Sequence, residues 1–208
     1  MRKILLIVIG VIGMFLTACD DDKEVSLSDI PIRLSGKILG MDEGEVLTRF
    51  RGGAGVGVYI VDASERQTGA RVSNKKFMQS ADGLVGDPLV CWNRETGIEF
   101  AAYYPYLPEN GMLSETCLFQ VAERQDSLQN GLSAYGESDF LWARGYADFQ
   151  TEPIALEFRH LMSKVIIYLK SDAMIPGDMI GGEVRILGSV INAKIDLNEG
   201  TVIAEGGT

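Results

Sequence analysis

Ile30-Pro31-Ile32-Arg33-Leu34-Ser35-Gly36-Lys37-Ile38 alternates almost without fault. Ile30, Ile32, Leu34 and Ile38 share one side with Gly36 in their row, while Pro31, Arg33, Ser35 and Lys37 share the other. Successive side chains of an extended chain point to opposite faces, so this period of two predicts a half-buried strand. Proline has no amide hydrogen to give to a ladder, so Pro31 predicts an edge or a strand start.

The same reading extends along the chain. Residues 56–61 form a continuous apolar run of strand length. Ile98, Phe100, Ala102 and Tyr104 alternate, as do Cys117, Phe119 and Val121. Ile154, Leu156 and Phe158 lead into a second apolar run at 165–169. Residues 193–204 read as a hairpin: Ile195 and Leu197 alternate, Asn198-Glu199-Gly200 supplies a turn with glycine where positive φ is needed, and Val202 returns. No stretch sustains a helical period, and residues 123–132 leave room for one short helix. Short strands separated by turn signals predict an all-β fold, an antiparallel Greek-key β-sandwich of transthyretin-like type with about seven or more strands.

The first residues belong to targeting rather than fold. Arg2 and Lys3 precede the apolar run 4–16. A helix of that length reaches about 20 Å, short of a hydrocarbon core of about 30 Å, so a cleaved signal is expected rather than a membrane span. Leu16-Thr17-Ala18-Cys19 resembles the lipobox of bacterial lipoproteins, in which small residues admit the signal peptidase and the cysteine thiol accepts the lipid. The expected organisation is a signal peptide at 1–18, an acidic tether at 19–27 opening on lipidated Cys19, and a single domain at 28–208. Without Arg2 and Lys3 the chain carries 17 of its 19 Lys and Arg against 29 Asp and Glu, a formal charge of −12. Such a chain is not drawn by charge to nucleic acid or anionic headgroups, so attachment falls to acyl chains, more than one being needed for stable anchoring. Asp20-Asp21-Asp22 resembles the acidic signal that sends lipoproteins of some anaerobic Gram-negative bacteria to the cell surface.

No catalytic, cofactor or metal constellation emerges. His160 is the single histidine and has no cysteine or carboxylate at ligand spacing. Gly131-Leu132-Ser133-Ala134-Tyr135 departs from the nucleophile elbow at its last residue. Gly53-Ala54-Gly55-Val56-Gly57 precedes a strand rather than a helix, and so is no phosphate cradle. The acidic residues form no calcium loop. Cys91 and Cys117 either pair, which an oxidising compartment permits, or stay as buried thiols. His160 is expected as a buried, hydrogen-bonded side chain.

Asp139-Phe140-Leu141-Trp142-Ala143, followed by Leu156-Glu157-Phe158-Arg159-His160-Leu161-Met162-Ser163-Lys164-Val165, resembles the central signature of the fimbrillin family of type V pili. Thr48-Arg49 before Val56-Gly57-Val58-Tyr59, then Tyr103-Tyr104-Pro105-Tyr106 and Ile195-Asp196-Leu197-Asn198-Glu199-Gly200, agree with it in order. The resemblance implies a surface lipoprotein of the outer membrane that assembles into a fimbrium. It implies an Arg-specific, trypsin-like protease cutting in the loop after the first strand, and a strand from another subunit filling the opened groove. Here residues 30–38 match the removable strand, and Arg49 or Arg51, in the glycine-rich loop 41–57, the cut. Family members usually carry a second domain and a donor segment that have no counterpart before Thr208, so the resemblance implies either a truncated piece of a two-domain subunit or a one-domain accessory such as an anchor or cap. The other functional class in view is a glycan-binding surface lipoprotein, which would need Trp92, Tyr103, Tyr104, Tyr106 and Trp142 exposed on one face.

The anchor is directly testable. Cys19→Ser should abolish labelling by radioactive palmitate and leave the precursor unprocessed; labelling that persists in this variant would exclude Cys19 as the lipid site.

Overall fold

The computed structural model describes residues 26–40, 46–47, 50, 55–62, 70–93, 97–125, 128–129, 132–167 and 185–206. After a 3-10 turn at Leu27–Asp29, its strands are β1 (Arg33–Leu39), β2 (Val46–Leu47), β3 (Val56–Asp62), β4 (Val72–Ser80), β5 (Gly83–Gly86), β6 (Ile98–Tyr104), β7 (Thr116–Gln120), β8 (Leu128–Gln129), β9 (Leu132–Ser133), β10 (Leu141–Ala147), β11 (Ile154–His160), β12 (Asn192–Asp196) and β13 (Thr201–Ala204). One short helix, α1 (Ala134–Glu137), separates β9 from β10.

The main sheet runs β11-β10-β6-β3-β4-β5-β1, with β2 added beside β1, and it closes because β1 also pairs with β11. Six junctions of this seven-stranded ring are antiparallel. The seventh is parallel, Leu34 facing Ile154 and Ile38 facing Phe158. A ring with an odd number of strands cannot alternate direction all the way round, so one parallel junction is forced.

Inside the ring lie Ile32, Leu34, Ile38, Val56, Val58, Ile60, Phe77, Leu84, Phe100, Leu156 and Phe158 among others, all buried. A three-stranded sheet, β13-β12-β7, encloses a second cluster with the outer faces of β3, β6 and β10. Tyr59, Ala101, Tyr103 and Trp142 point outward from those ring strands and meet Cys117, Phe119, Ile195 and Leu197. Strands buried on both faces lose their alternation and read as continuous apolar runs, which is why β3 and β6 are apolar almost throughout. β11 is covered on one face only and alternates strictly.

The all-β expectation holds. The antiparallel Greek-key, transthyretin-like sandwich does not describe the main sheet, whose edges pair with each other and include one parallel junction. β1 is not an edge strand, although the proline does mark its start: Pro31 bridges Cys91 just before the ladder begins at Arg33. No helix fills 123–132 among the described residues; β8 and β9 pair there instead, Leu128 with Ser133 and Gln129 with Leu132. Val165, Ile166 and Ile167 form no strand and are exposed, while the rest of that run lies outside the described residues.

β12 and β13 form the expected hairpin, with Gly200 at φ +65°. A Cβ on Gly200 would sit 2.5 Å from the Trp142 ring. Gly200→Ala should therefore combine backbone strain with overpacking and cost about 2–4 kcal/mol in urea unfolding. Gly188, at φ +76° with nothing within 4 Å, meets only the strain, and Gly188→Ala should cost about 1 kcal/mol. Equal costs at the two glycines would contradict this packing of Trp142.

Candidate functional site

β1 lies in a slot whose two walls come from distant parts of the chain. On one side it takes five parallel register partners from β11, Ile154 to Phe158. On the other, Arg33 and Leu34 pair with Val85 and Leu84 of β5. The ladder continues backwards through Ile32 N–H donating to Val90 O at 2.7 Å and Trp92 N–H donating to Ile30 O at 3.0 Å. Ile32, Leu34 and Ile38 enter the core almost completely buried. At roughly 1.5–3 kcal/mol each, these side chains dominate the attachment.

Polar ties are few and lie outside the ring. Lys37 Nζ stands 3.0 Å from Glu157 Oε1, with both side chains largely exposed, a class of pair that contributes about 0–1 kcal/mol. The Arg33 guanidinium donates to Thr151 O. Ser35, Lys37, Ala155 and Glu157 are exposed, so the small sheet leaves this side of the ring bare.

Between the inward positions of Leu34 and Ile38, Gly36 leaves a notch that Phe50 fills. A Cβ on Gly36 would lie 2.5 Å from Phe50 Cε2 and 3.3 Å from Phe158 Cε2. Phe50 is 8% exposed; its ring stands edge-on to Phe158 at 4.9 Å and tilted to Tyr104 at 5.3 Å. Spacing did not single Phe50 out as a core residue, because its neighbours are arginine and glycine. Arg49, Arg51 and Cys19 lie outside the described residues.

The remaining residues of interest join the two clusters. His160 Nδ1 and Asp139 Oδ1 are 2.6 Å apart, so the histidine is a partly buried, hydrogen-bonded side chain. Phe140 stacks on Tyr103 and meets Phe119 edge-on. Trp142 Nε1 donates to Leu197 O at 2.7 Å, and Arg159 lies over the Trp142 ring at 4.6 Å. Lys164 is exposed, and Val165, expected with Phe158 in the core, is exposed too. Cys91 and Cys117 are free thiols. A stacking platform is not formed: Trp92, Tyr103, Tyr104 and Trp142 are all buried, Trp92 and Tyr104 inside the ring and Tyr103 and Trp142 outside it. Tyr106 is half-buried, with Lys76 Nζ 5.6 Å from its ring centre. Among the described residues no His, Cys, Asp and Glu gather as metal ligands.

Comparison with known proteins gives consistent results. A family model described as fimbrillin-like matches residues 45–208. A candidate cell adhesion protein from Bacteroides ovatus ATCC 8483 superimposes with a TM-score of 0.56 at 17% identity, over 86% of this chain and 69% of that one. Another from Bacteroides uniformis ATCC 8492 does so with a TM-score of 0.55 at 17% identity, over 87% of this chain and 68% of that one. These similarities establish a shared fold. No curated protein matches the chain significantly.

The outer cluster sets a pH limit on the assembly of ring and small sheet. Burial, assisted by Cys117 and Glu115, pushes the Tyr59 hydroxyl up to about 12, and burial raises Tyr103 as well. An unfolded tyrosine ionises near 10, so this stabilisation is complete below that pH and is lost as the pH rises through 12. The melting temperature should fall across that interval, and less steeply in Tyr59→Phe. That variant should give up about 1 kcal/mol at neutral pH with its 3.1 Å bond to Gly111 O. Parallel pH profiles for the two proteins would contradict the assignment.

Proposed function

The chain belongs to the fimbrillin-like family, and from that premise we propose that it is a surface lipoprotein subunit or accessory of a type V fimbria, assembled by protease-triggered strand exchange and supporting adhesion. The observation that carries this reading is the seat of β1. Its ring partners β11 and β5 are non-local in sequence, the local β2 meeting only its last two residues, its inward face is aliphatic, and its outward face is uncovered. The chain leaves β1 through the segment that holds Arg49 and Arg51. One cut there turns β1 from a covalent part of the ring into a bound peptide.

Exchange then follows from the chemistry of strands. Any extended segment can replace the main-chain hydrogen bonds of β1, while the inward side chains select which segment does. The partners in this reading are other fimbrial subunits through strand addition, an Arg-specific protease, and the outer membrane through lipid on Cys19. The burial of the aromatic residues removes the platform that a glycan-binding reading required.

Limited trypsin should cut at Arg49 or Arg51 first. Arg71 should follow later, since its guanidinium is held 3.5 Å from Asp62 and donates to Cys91 O at 3.3 Å. The nicked protein should keep β1 until a competing strand or mild denaturant displaces it. A synthetic peptide with alternating apolar residues should bind the cut form and not the intact one. Cleavage that avoids this loop, or equal binding to both forms, would rule out strand exchange in this chain.

A further inference from the structure

We propose that Phe50 is a specificity-determining residue of the β1 slot, restricting it to strands with glycine at the third of four inward positions; this rests on the strand-exchange reading above. The slot's own occupant presents Ile32, Leu34, Gly36 and Ile38 inward. Three of these positions accept a large aliphatic side chain. The remaining one, that of Gly36, is occupied from the other side by the Phe50 ring, which an added Cβ would approach to 2.5 Å.

When β1 leaves, Phe50 retains Phe158 and Tyr104 as neighbours, because both belong to strands that stay. The notch therefore persists in the open slot wherever Phe50 remains on the body of the protein. An incoming strand with a bulky side chain at this register must displace the ring or shift by two residues. A two-residue shift misplaces the whole inward set, because register in a strand is fixed by which side chains meet which pockets. Specificity thus comes from steric refusal in addition to attraction, as selective interfaces commonly require.

The position of the cut decides whether this restriction operates. Cleavage after Arg49 leaves Phe50 as the first residue of the body; cleavage after Arg51 removes it with β1. The first product is a glycine-selective acceptor, the second an enlarged slot that tolerates bulk. The partner is accordingly an extended strand of the pattern aliphatic-x-aliphatic-x-glycine-x-aliphatic.

The test uses the full chain in two forms, Arg51→Gln cut by trypsin after Arg49, and Arg49→Gln cut after Arg51, each new terminus being read by mass spectrometry. After β1 is displaced in mild denaturant and removed, two labelled peptides are titrated: the sequence of residues 30–39, and the same peptide with leucine at the Gly36 position. The Arg51→Gln product should prefer the glycine peptide by about tenfold or more, and the Arg49→Gln product should lose that preference. Equal binding of both peptides to the Arg51→Gln product would overturn the selectivity of Phe50 while leaving exchange intact. If neither peptide binds either product, the exchange reading itself fails and this proposal with it. The notch is also tested without cutting: Gly36→Ala should lower the melting temperature of the intact chain and should not do so in a Phe50→Ala background. No loss on Gly36→Ala alone would overturn the notch.

Discussion

A ring of seven strands must contain one junction at which neighbours run the same way, and in this protein that junction joins β1 to β11. The other ring neighbour of β1, β5, is also distant in sequence, and the local partner of β1 is the two-residue β2, which pairs only with Ile38 and Leu39 at its end. Of the other ring strands, β3, β4, β5, β10 and β11 each have an antiparallel neighbour next to them in sequence, while β6 is paired on both sides with strands distant in sequence. The ring thus closes through a strand that no direct turn ties to either of its ring neighbours. Its place is secured by the apolar side chains of Ile32, Leu34 and Ile38 and by main-chain pairing, interactions that another strand can reproduce.

The small sheet is the counterpart of this arrangement. It covers β3, β6 and β10 and leaves β11 and β1 bare outside. The residues that carry the family signature serve this division. Asp139 and His160 hold the turn into β10 to the end of β11, while Phe140 and Trp142 bind the ring to β7 and β12. Gly200 lets the closing hairpin approach the Trp142 ring. None of these side chains needs a chemical role to account for its presence. They fasten one side of the ring, while the side that holds β1 has no such cover.

Much of this was legible in the sequence, for physical reasons that can be named. β1, β11 and β12 are covered on one face and alternate, so their inward residues were correctly anticipated, whereas β13 buries none of its residues. β3 and β6 are covered on both faces and were legible as apolar runs. β4 was not, because Phe77 is its only buried residue and Asn74, at φ 43°, interrupts its pairing with β3 by a register shift. β5 is too short to show a period, with Leu84 as its single large buried side chain. Ring closure and the parallel junction left no trace, since alternation reports which side chains are inward and not which strands are neighbours. Phe50 escaped for a related reason: it is an apolar residue that enters the core from a loop, outside any periodic element.

The account stands or falls on β1 as a separable closure of the ring. Amide hydrogen exchange, read by mass spectrometry before and after β1 is displaced from the loop-cut protein, tests this most directly. Loss of protection confined to β5 and β11, with β3, β6, β10 and β12 keeping theirs, is the predicted result. Unchanged protection in β11, or a loss spread through the whole chain, would show that β1 is either not the closing strand or not separable from the fold.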